Sequence, residues 1–464
     1  MTSDDVAVRR CARVAVVGAG AAGLAAVRQL TLEGHVVCAY ESAACVGGTW
    51  AYSEESEDDA TGTRATRRRV HGSMYASLRT NLPREVMGFR EFPFREGFGG
   101  DERRFCGHEE VQEYLGAYAR EFGLTRSVRF NTRVVSVDRV AREDEGEEAR
   151  WSSAWSVTSV DSNGMETREM YDAVVVCNGH YSEPRVPKFD GAETWPGRRV
   201  HSHNYRKPDS FAGKTVLLIG AMASGEDLSR EIAGVAKTVY LSARSWQNPE
   251  WANSTDGFGA RGNIFRKPNV KTFGSDGTIV FDDGSIVLDC DVCMFCTGYE
   301  YRFDFLSKDV ITVTDNHVAP LYEHCVSAIA PSLSFVGLPW KVVPFPMFEL
   351  QSAWIARMLS GAVPMPSQEL ALRGASELEA TLEPHGVIPR RHAHCFGDAQ
   401  FDYNDRIARM ACLEPLASWR ASMYKKTGLN KRANPEEYRD ISPSDEQELL
   451  EARREFGEIL LDTR

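Results

Sequence analysis

The chain has 464 residues, 42% of them hydrophobic, and a formal charge of −12, which is apolar material enough for two or three domains with full cores. The acidic balance opposes binding to nucleic acid or an anionic membrane, because like charges repel. Eleven cysteines, an odd number scattered without the spacing of a disulfide scaffold, point to a reducing, cytoplasmic compartment.

Met1 to Arg10 is polar and charged, not the apolar core of a secretion signal, and no uncharged run reaches the roughly 18 residues of a membrane span. Val14 to Val17 is a β-branched run that leads at once into Gly18-Ala19-Gly20-Ala21-Ala22-Gly23 and a helical pattern, Leu24 to Leu30. This is the strand, turn and helix of a Rossmann unit: Gly18 permits the tight turn, Gly20 lets the backbone approach a pyrophosphate, and Gly23 lets helix and strand pack closely. A second strand, His35 to Tyr40, ends in Glu41, where a carboxylate accepts ribose hydroxyls and repels a 2′-phosphate. The stretch Glu54 to Arg69, acidic and then basic, fits either an ordered lid or a loose insert, and Arg67-Arg68-Arg69 reads as a solvated face.

Farther along, Trp155 to Val160 and Glu166 to Tyr171 flank Ser162-Asn163-Gly164, a β-hairpin signature, and the charged stretch Arg142 to Arg150 before it reads as a loop. Asp172 to Val176 is a strand that ends in Asn178-Gly179-His180. The glycine grammar then returns. Thr215 to Ile219 is an apolar strand and Gly220-Ala221-Met222-Ala223-Ser224-Gly225 opens a helix, with Met222 where a middle glycine is expected; a side chain there pushes a pyrophosphate outward unless the loop widens. The next strand, Thr238 to Ser242, is followed by Arg244 in place of an acid, and a guanidinium there suits a 2′-phosphate.

One unit with an acid and one with an arginine imply two dinucleotides, FAD in the first and NADPH in the second. The expected fold class is α/β, two dinucleotide-binding domains with the NADPH domain (181–299) inserted into a discontinuous FAD domain (1–180 and 300–464). Glycines at Gly179 and Gly298, beside Thr297 and Tyr299, mark the crossings. Cys290, Cys293 and Cys296 lie on the strand that runs into Thr297, where residues three apart point to opposite faces, so they read as buried hydrophobes rather than a dithiol or metal centre. His392, His394 and Cys395 lack a second ligand pair at finger spacing and read as loop residues. No metal is expected. Ser444 and Gln447 have the spacing of a capping box ahead of Leu449, Leu450, Phe456 and Leu460, an amphipathic surface helix.

Between the two glycine turns stands Trp195-Pro196-Gly197-Arg198-Arg199-Val200-His201-Ser202-His203-Asn204-Tyr205, which resembles the F-x-G-x-x-x-H-x-x-x-Y fingerprint of class B flavin-containing monooxygenases with Trp in place of Phe. Gly47-Gly48-Thr49-Trp50, Tyr75 to Glu85 and Thr297-Gly298-Tyr299 extend the resemblance, and Gly337 to Ser352 is similar to the plant thioether S-oxygenase, or glucosinolate S-oxygenase-like, branch. The resemblance implies an enzyme that uses NADPH and O2 to transfer one oxygen, through a flavin C4a-hydroperoxide, to a soft nucleophile: a thioether sulfur or an amine nitrogen of a small molecule. By the same resemblance Asn81 stands beside flavin and nicotinamide, and Gly48, Thr49, Trp50, Tyr205, Thr297, Gly298 and Gln351 join Gly220, Ser224, Gly225 and Arg244 in binding cofactor. His201 and His203 have the look of acid-base groups but read as structural residues of the linker beside the NADPH domain. The alternatives are a flavin-dependent NADPH oxidase and a disulfide reductase-like oxidoreductase, neither of which oxygenates.

Overall fold

The computed structural model describes residues 10–140, 154–246, 248–441 and 446–462. The strand Arg13–Val17 lies between Val36–Tyr40 and Ala173–Val176, parallel to both. Its residues face alternately to the two sides of the sheet. Val14 and Val16 join a core with Leu24, Val27 and Leu30 of the helix Ala21–Leu32 and with Leu350 and Trp354 of the helix Pro344–Ser360. Ala15 and Val17 join another with Trp155, Val157 and Tyr171. Coverage of both faces is the reason the strand reads as an unbroken apolar run. Val128–Arg129 extends the sheet at one edge; Leu333–Phe335, Val326–Ser327 and Leu321–Tyr322 extend it at the other, the last two pairing antiparallel.

A second sheet repeats this plan. Thr215–Ile219 lies between Thr238–Ser242 and Val292–Phe295, with Ile264–Lys267 and Arg198–His201 at the edges, all parallel. Val216 and Leu218 face Leu228 and Ile232 of the helix Ala223–Ala233, while Leu217 and Ile219 face Val270, Ile279 and Phe281 of a small antiparallel sheet. All five strands fall between Ala173–Val176 and Leu321–Tyr322 of the first sheet, so one unit is nested in the other. The chain crosses out and back at a single place. Pro184 and Tyr299 form an antiparallel bridge, the Arg185 N–H donates to the Gly298 carbonyl at 2.9 Å, and the Glu300 N–H donates to the Glu183 carbonyl at 2.9 Å.

The hairpin forms as expected, Ala154–Asp161 pairing with Glu166–Tyr171 around Gly164. The stretch Arg142 to Arg150 and Ser444 lie outside the described residues. The last helix, Glu446–Asp462, buries Ala452 and Phe456, the latter edge-on to Trp419, and leaves Leu450 exposed. No helix among the described residues is long and apolar enough to cross a membrane.

Two expectations are corrected. Arg67 is not solvated: its side chain is 2% exposed, with Nε donating to Glu57 at 2.7 Å and Nη2 to Glu183 at 2.9 Å, and only Arg68 and Arg69 face water. The surrounding stretch is an ordered strap. Asp59 accepts hydrogen bonds from the backbone N–H groups of Thr61, Thr63 and Arg64, and Ala60 accepts one from the His201 N–H. Secondly, the three cysteines do not alternate from face to face: Cys290 and Cys293 share one core and Cys296 lies in the other. The strand begins only at Val292, so Cys290 escapes its two-residue repeat. All three thiols are unpaired.

Candidate active site

At Gly18 the backbone takes a φ of 105° and passes so near the strand end that a Cβ there would lie 2.5 Å from the Cys177 carbonyl oxygen. A Cβ on Gly23 would overlap the Gly18 carbonyl, and one on Gly20 would stand 3.3 Å from Gly48 Cα. Bare backbone therefore lines this turn, with Ala19 and Ala21 buried and Ala22 half-buried around it. The helix Ala21–Leu32 begins here with no side-chain cap and no acid in its first turn, which leaves its N–H groups and dipole available to an anion. Gly48–Trp50 makes a single turn beside it, held by a Gly20–Gly47 bridge, and Trp50 packs edge-on to Phe345 at 6.4 Å; Thr49 is half-buried between them in sequence. Glu41 is buried, its carboxylate accepting from the N–H groups of Ala19 and Ala43, both at 2.8 Å. A carboxylate has about four acceptor sites, so capacity remains for ribose hydroxyls. A bare cradle, an uncapped helix start and a carboxylate at the second strand end fit a dinucleotide with an unphosphorylated ribose.

The second turn is built alike. A Cβ on Gly220 would overlap the Cys296 carbonyl oxygen, and one on Gly225 the Gly220 carbonyl, the same two contacts as at Gly18 and Gly23. Met222 leaves this form intact because it occupies the N-cap of the helix Ala223–Ala233 in extended conformation with its side chain 55% exposed. Ser224 is half-buried in the first turn, and the one acid there, Glu226, is paired with Lys431 at 2.8 Å. Arg244, just past the strand end, is exposed and has no hydrogen bond or ion pair among the described residues. An unpaired guanidinium beside an uncapped helix start fits a phosphorylated ribose.

Between the cradles, the Thr297 hydroxyl donates to the Arg185 carbonyl, and the Gly298 carbonyl accepts from His201 Nε2 at 3.1 Å. His201 Nδ1 in turn accepts the His203 N–H at 3.0 Å, and His203 Nε2 donates to the Val70 carbonyl at 2.9 Å. Burial first, then the neighbouring His203, push His201 down to about 3; burial and then Arg206 push His203 down to about 4. Two neutral imidazoles thus tie the crossing to the strap, with no proton to exchange near neutral pH. His394 is engaged at both ring nitrogens, one by the Val318 N–H and the other by His324.

Asn81 is exposed, with no side-chain hydrogen bond among the described residues, while its neighbours are fixed. The Thr80 N–H donates to the Cys106 carbonyl at 2.9 Å, Arg439 Nε donates to the Thr80 carbonyl at 3.0 Å, and Pro83 opens the short helix Arg84–Met87. A rigid segment therefore presents a free amide. Tyr205 and Gln351 are placed otherwise than as cradle residues. Tyr205 is buried edge-on to Tyr75 at 5.8 Å and beside Phe211. Gln351 is 0% exposed; its Oε1 accepts the Gly337 N–H at 3.0 Å and its Nε2 donates to the Tyr403 hydroxyl at 2.8 Å. Gln351 thereby holds the turn after Leu333–Phe335.

A family model described as flavin-binding monooxygenase-like matches residues 11–254 and 255–415. The chain belongs to this family. It is 46% identical over 441 residues to the flavin-containing monooxygenase FMO GS-OX-like 4 of Arabidopsis thaliana, covering 93% of this chain and 94% of the relative. Among solved structures it is similar to S-allyl-L-cysteine S-oxygenase from Allium sativum, with 42% identity, a TM-score of 0.90, and coverage of 97% of this chain and 100% of that one. Tmm from Pelagibacter follows at 25% identity and a TM-score of 0.76, with 93% and 94% covered.

Two residues of this monooxygenase's site escape sequence motifs. His71 lies with Nε2 3.9 Å from the place a Gly179 Cβ would take. Gln112, on the helix His108–Glu121, donates from Nε2 to the Val46 carbonyl at 2.7 Å and covers Gly47 so closely that a Cβ there would overlap its carboxamide. No local pattern marks either one, because each reaches the cradle from a distant segment.

Proposed function

We propose that this flavin-containing monooxygenase consumes NADPH and O2 and transfers one oxygen atom to the sulfur of a small thioether, with an amine nitrogen as the second acceptor class. One observation carries the reading: two cradles of the same shape differ at the end of their second strand, with the carboxylate of Glu41 at one and the unpaired guanidinium of Arg244 at the other. FAD belongs to the first, in a domain of residues 1–180 and 300–464, and NADPH to the second, in a domain of residues 181–299. The similarity to an S-allyl-L-cysteine S-oxygenase supports sulfur as the acceptor.

Bound FAD supplies the two-electron redox chemistry and the activation of oxygen. The chain supplies the rest. The backbone at Gly18 to Gly23, with Gly48, Thr49 and Trp50, cradles the pyrophosphate, and Glu41 accepts from the ribose. Gly220, Ser224 and Gly225 do the same for NADPH, with Arg244 on its 2′-phosphate. Thr297 and Gly298 hold the crossing between the two. The Asn81 amide would donate a hydrogen bond beside the bound flavin without offering an acidic proton, which favours oxygen transfer to substrate over release of hydrogen peroxide.

The test is to follow NADPH oxidation under 18O2 with S-allyl-L-cysteine or another S-alkyl thioether and to analyse the product by mass. Sulfoxide carrying one labelled oxygen per NADPH is the expected outcome. NADPH oxidation that yields only hydrogen peroxide with every thioether and amine tried would establish the oxidase alternative instead. Reduction of a disulfide without O2 would establish the reductase alternative, for which Cys177 beneath the first cradle is ill-suited because burial raises its thiol pKa.

A further inference from the structure

Beyond Arg244 the chain forms a loop that returns to the edge of the second sheet, where Phe258 bridges Ile264 with backbone hydrogen bonds at 2.9 and 3.3 Å. The strand it meets, Ile264–Lys267, pairs with Thr238–Ser242 so that Arg266 stands opposite Leu241 and Lys267 opposite Ser242. The Lys267 carbonyl also accepts the Ala243 N–H at 3.1 Å, which carries the pairing up to the residue before Arg244.

Three aromatic rings of this loop converge on one guanidinium. Arg266 Cζ lies 3.9 Å from the ring centre of Phe258, 4.6 Å from that of Trp251 and 5.7 Å from that of Trp246. Trp246 is two residues past Arg244, Trp251 is in the turn Pro249–Asn253, and Phe258 is at the return, so the beginning, middle and end of the loop share Arg266 as an anchor, with Arg230 a more distant second cation over Phe258 at 5.8 Å. Arg266 Nε is buried with no hydrogen-bond partner among the described residues. An apolar residue there would serve a mere core; a desolvated planar cation among three rings gives directional attraction to each.

We propose that Arg266 is a positioning residue for NADPH: by clamping Trp246, Trp251 and Phe258 it fixes the loop that follows Arg244 and so sets the preference for the 2′-phosphorylated cofactor. The inference rests on the assignment of Arg244 to that phosphate. The cation itself does not touch the cofactor; it adds positive field behind Arg244 and removes the freedom of the chain that carries it.

The experiment uses the flavin-loaded protein and measures binding of NADP+, NAD+, 2′,5′-ADP and 5′-AMP by calorimetry, beside KM and kcat for NADPH and NADH. For Arg266→Met we expect about tenfold weaker binding of NADP+ and 2′,5′-ADP, the factor that about 1.4 kcal/mol produces, with NAD+, 5′-AMP and kcat within about twofold of the parent. Arg266→Lys should recover part of the loss. Trp246→Leu should reproduce it, and serves where Arg266→Met yields no folded protein. Unchanged NADP+ binding in folded, flavin-loaded Arg266→Met or Trp246→Leu, or an equal loss for all four ligands, overturns the proposal. Arg244→Ala separates the two levels. If it leaves the NADP+ preference intact the underlying assignment fails, whereas if it abolishes the preference and Arg266→Met does not, only the positioning role fails.

Discussion

Glu349 offers a direct measure of the energetics inside the first domain. It lies on the helix Pro344–Ser360, buried, with Oε2 accepting the Arg90 N–H at 2.6 Å. Burial first and the like charge of Glu91 second raise its pKa from 4.5 to about 7. A carboxyl that holds its proton more tightly when folded costs nothing below the unfolded pKa, where both states are protonated. Stability then falls by about 1.4 kcal/mol per pH unit until the folded pKa is passed, about 3 kcal/mol in all. Glu349→Gln keeps an amide oxygen for the Arg90 N–H and removes the titration. Urea unfolding of parent and variant at several pH values from about 5 to about 8, read by tryptophan emission, should show the variant gaining on the parent by about 2.5 kcal/mol over that interval. A difference between the two proteins that stays constant with pH would refute the reasoning, because a fixed offset reports packing and not ionisation.

Three further outcomes are expected. Gly20→Leu should purify without the yellow absorbance of flavin, because its side chain must enter the space between Gly20 and Gly48; full flavin content in the variant would remove FAD from the first cradle. Asn81→Ala should retain flavin and reduction by NADPH yet release about ten or more times as much hydrogen peroxide per NADPH, the loss of one positioned donor being worth that much or more; unchanged coupling between NADPH and product would argue against the role given to its amide. Arg67→Leu leaves the buried carboxylate of Glu57 without its arginine, while the half-buried Glu183 keeps Arg69 and Arg302, and a chemical-denaturation series should report a loss of about 3 kcal/mol. A loss under about 1 kcal/mol would mean that the strap contributes little to holding the domains.

The parts of this molecule legible in the chain are those whose cause is local. Val14 to Val17 followed by Gly18 and Gly20 reads as strand and turn because steric demands within a few residues dictate it, and the same holds for Thr215 to Gly225 and for Asn163-Gly164. The nested order was readable too, since the runs 173–176 and 292–295 each end in a glycine-bearing crossing. What could not be read depends on partners far away in sequence. Arg67 looks like part of a basic surface run until Glu183, 116 residues later, is brought against it. Gln351 sits in a family-like stretch, yet its amide is consumed by Gly337 and Tyr403. Cys290 was assigned a face by counting along a strand that had not yet begun. His71 and Gln112 carry no motif at all, and only the folded chain sets them at the first cradle.

The bridged pair of crossings at Pro184 and Tyr299 has an architectural consequence. Neighbouring strands run about 5 Å apart, so the polypeptide enters and exits the inserted half through a doorway one ladder rung wide. The host half could be resealed there by a connector of a few residues, and the guest could be transplanted whole, its two ends already adjacent. Evolution by insertion and engineering by exchange of such modules both need a seam of that kind.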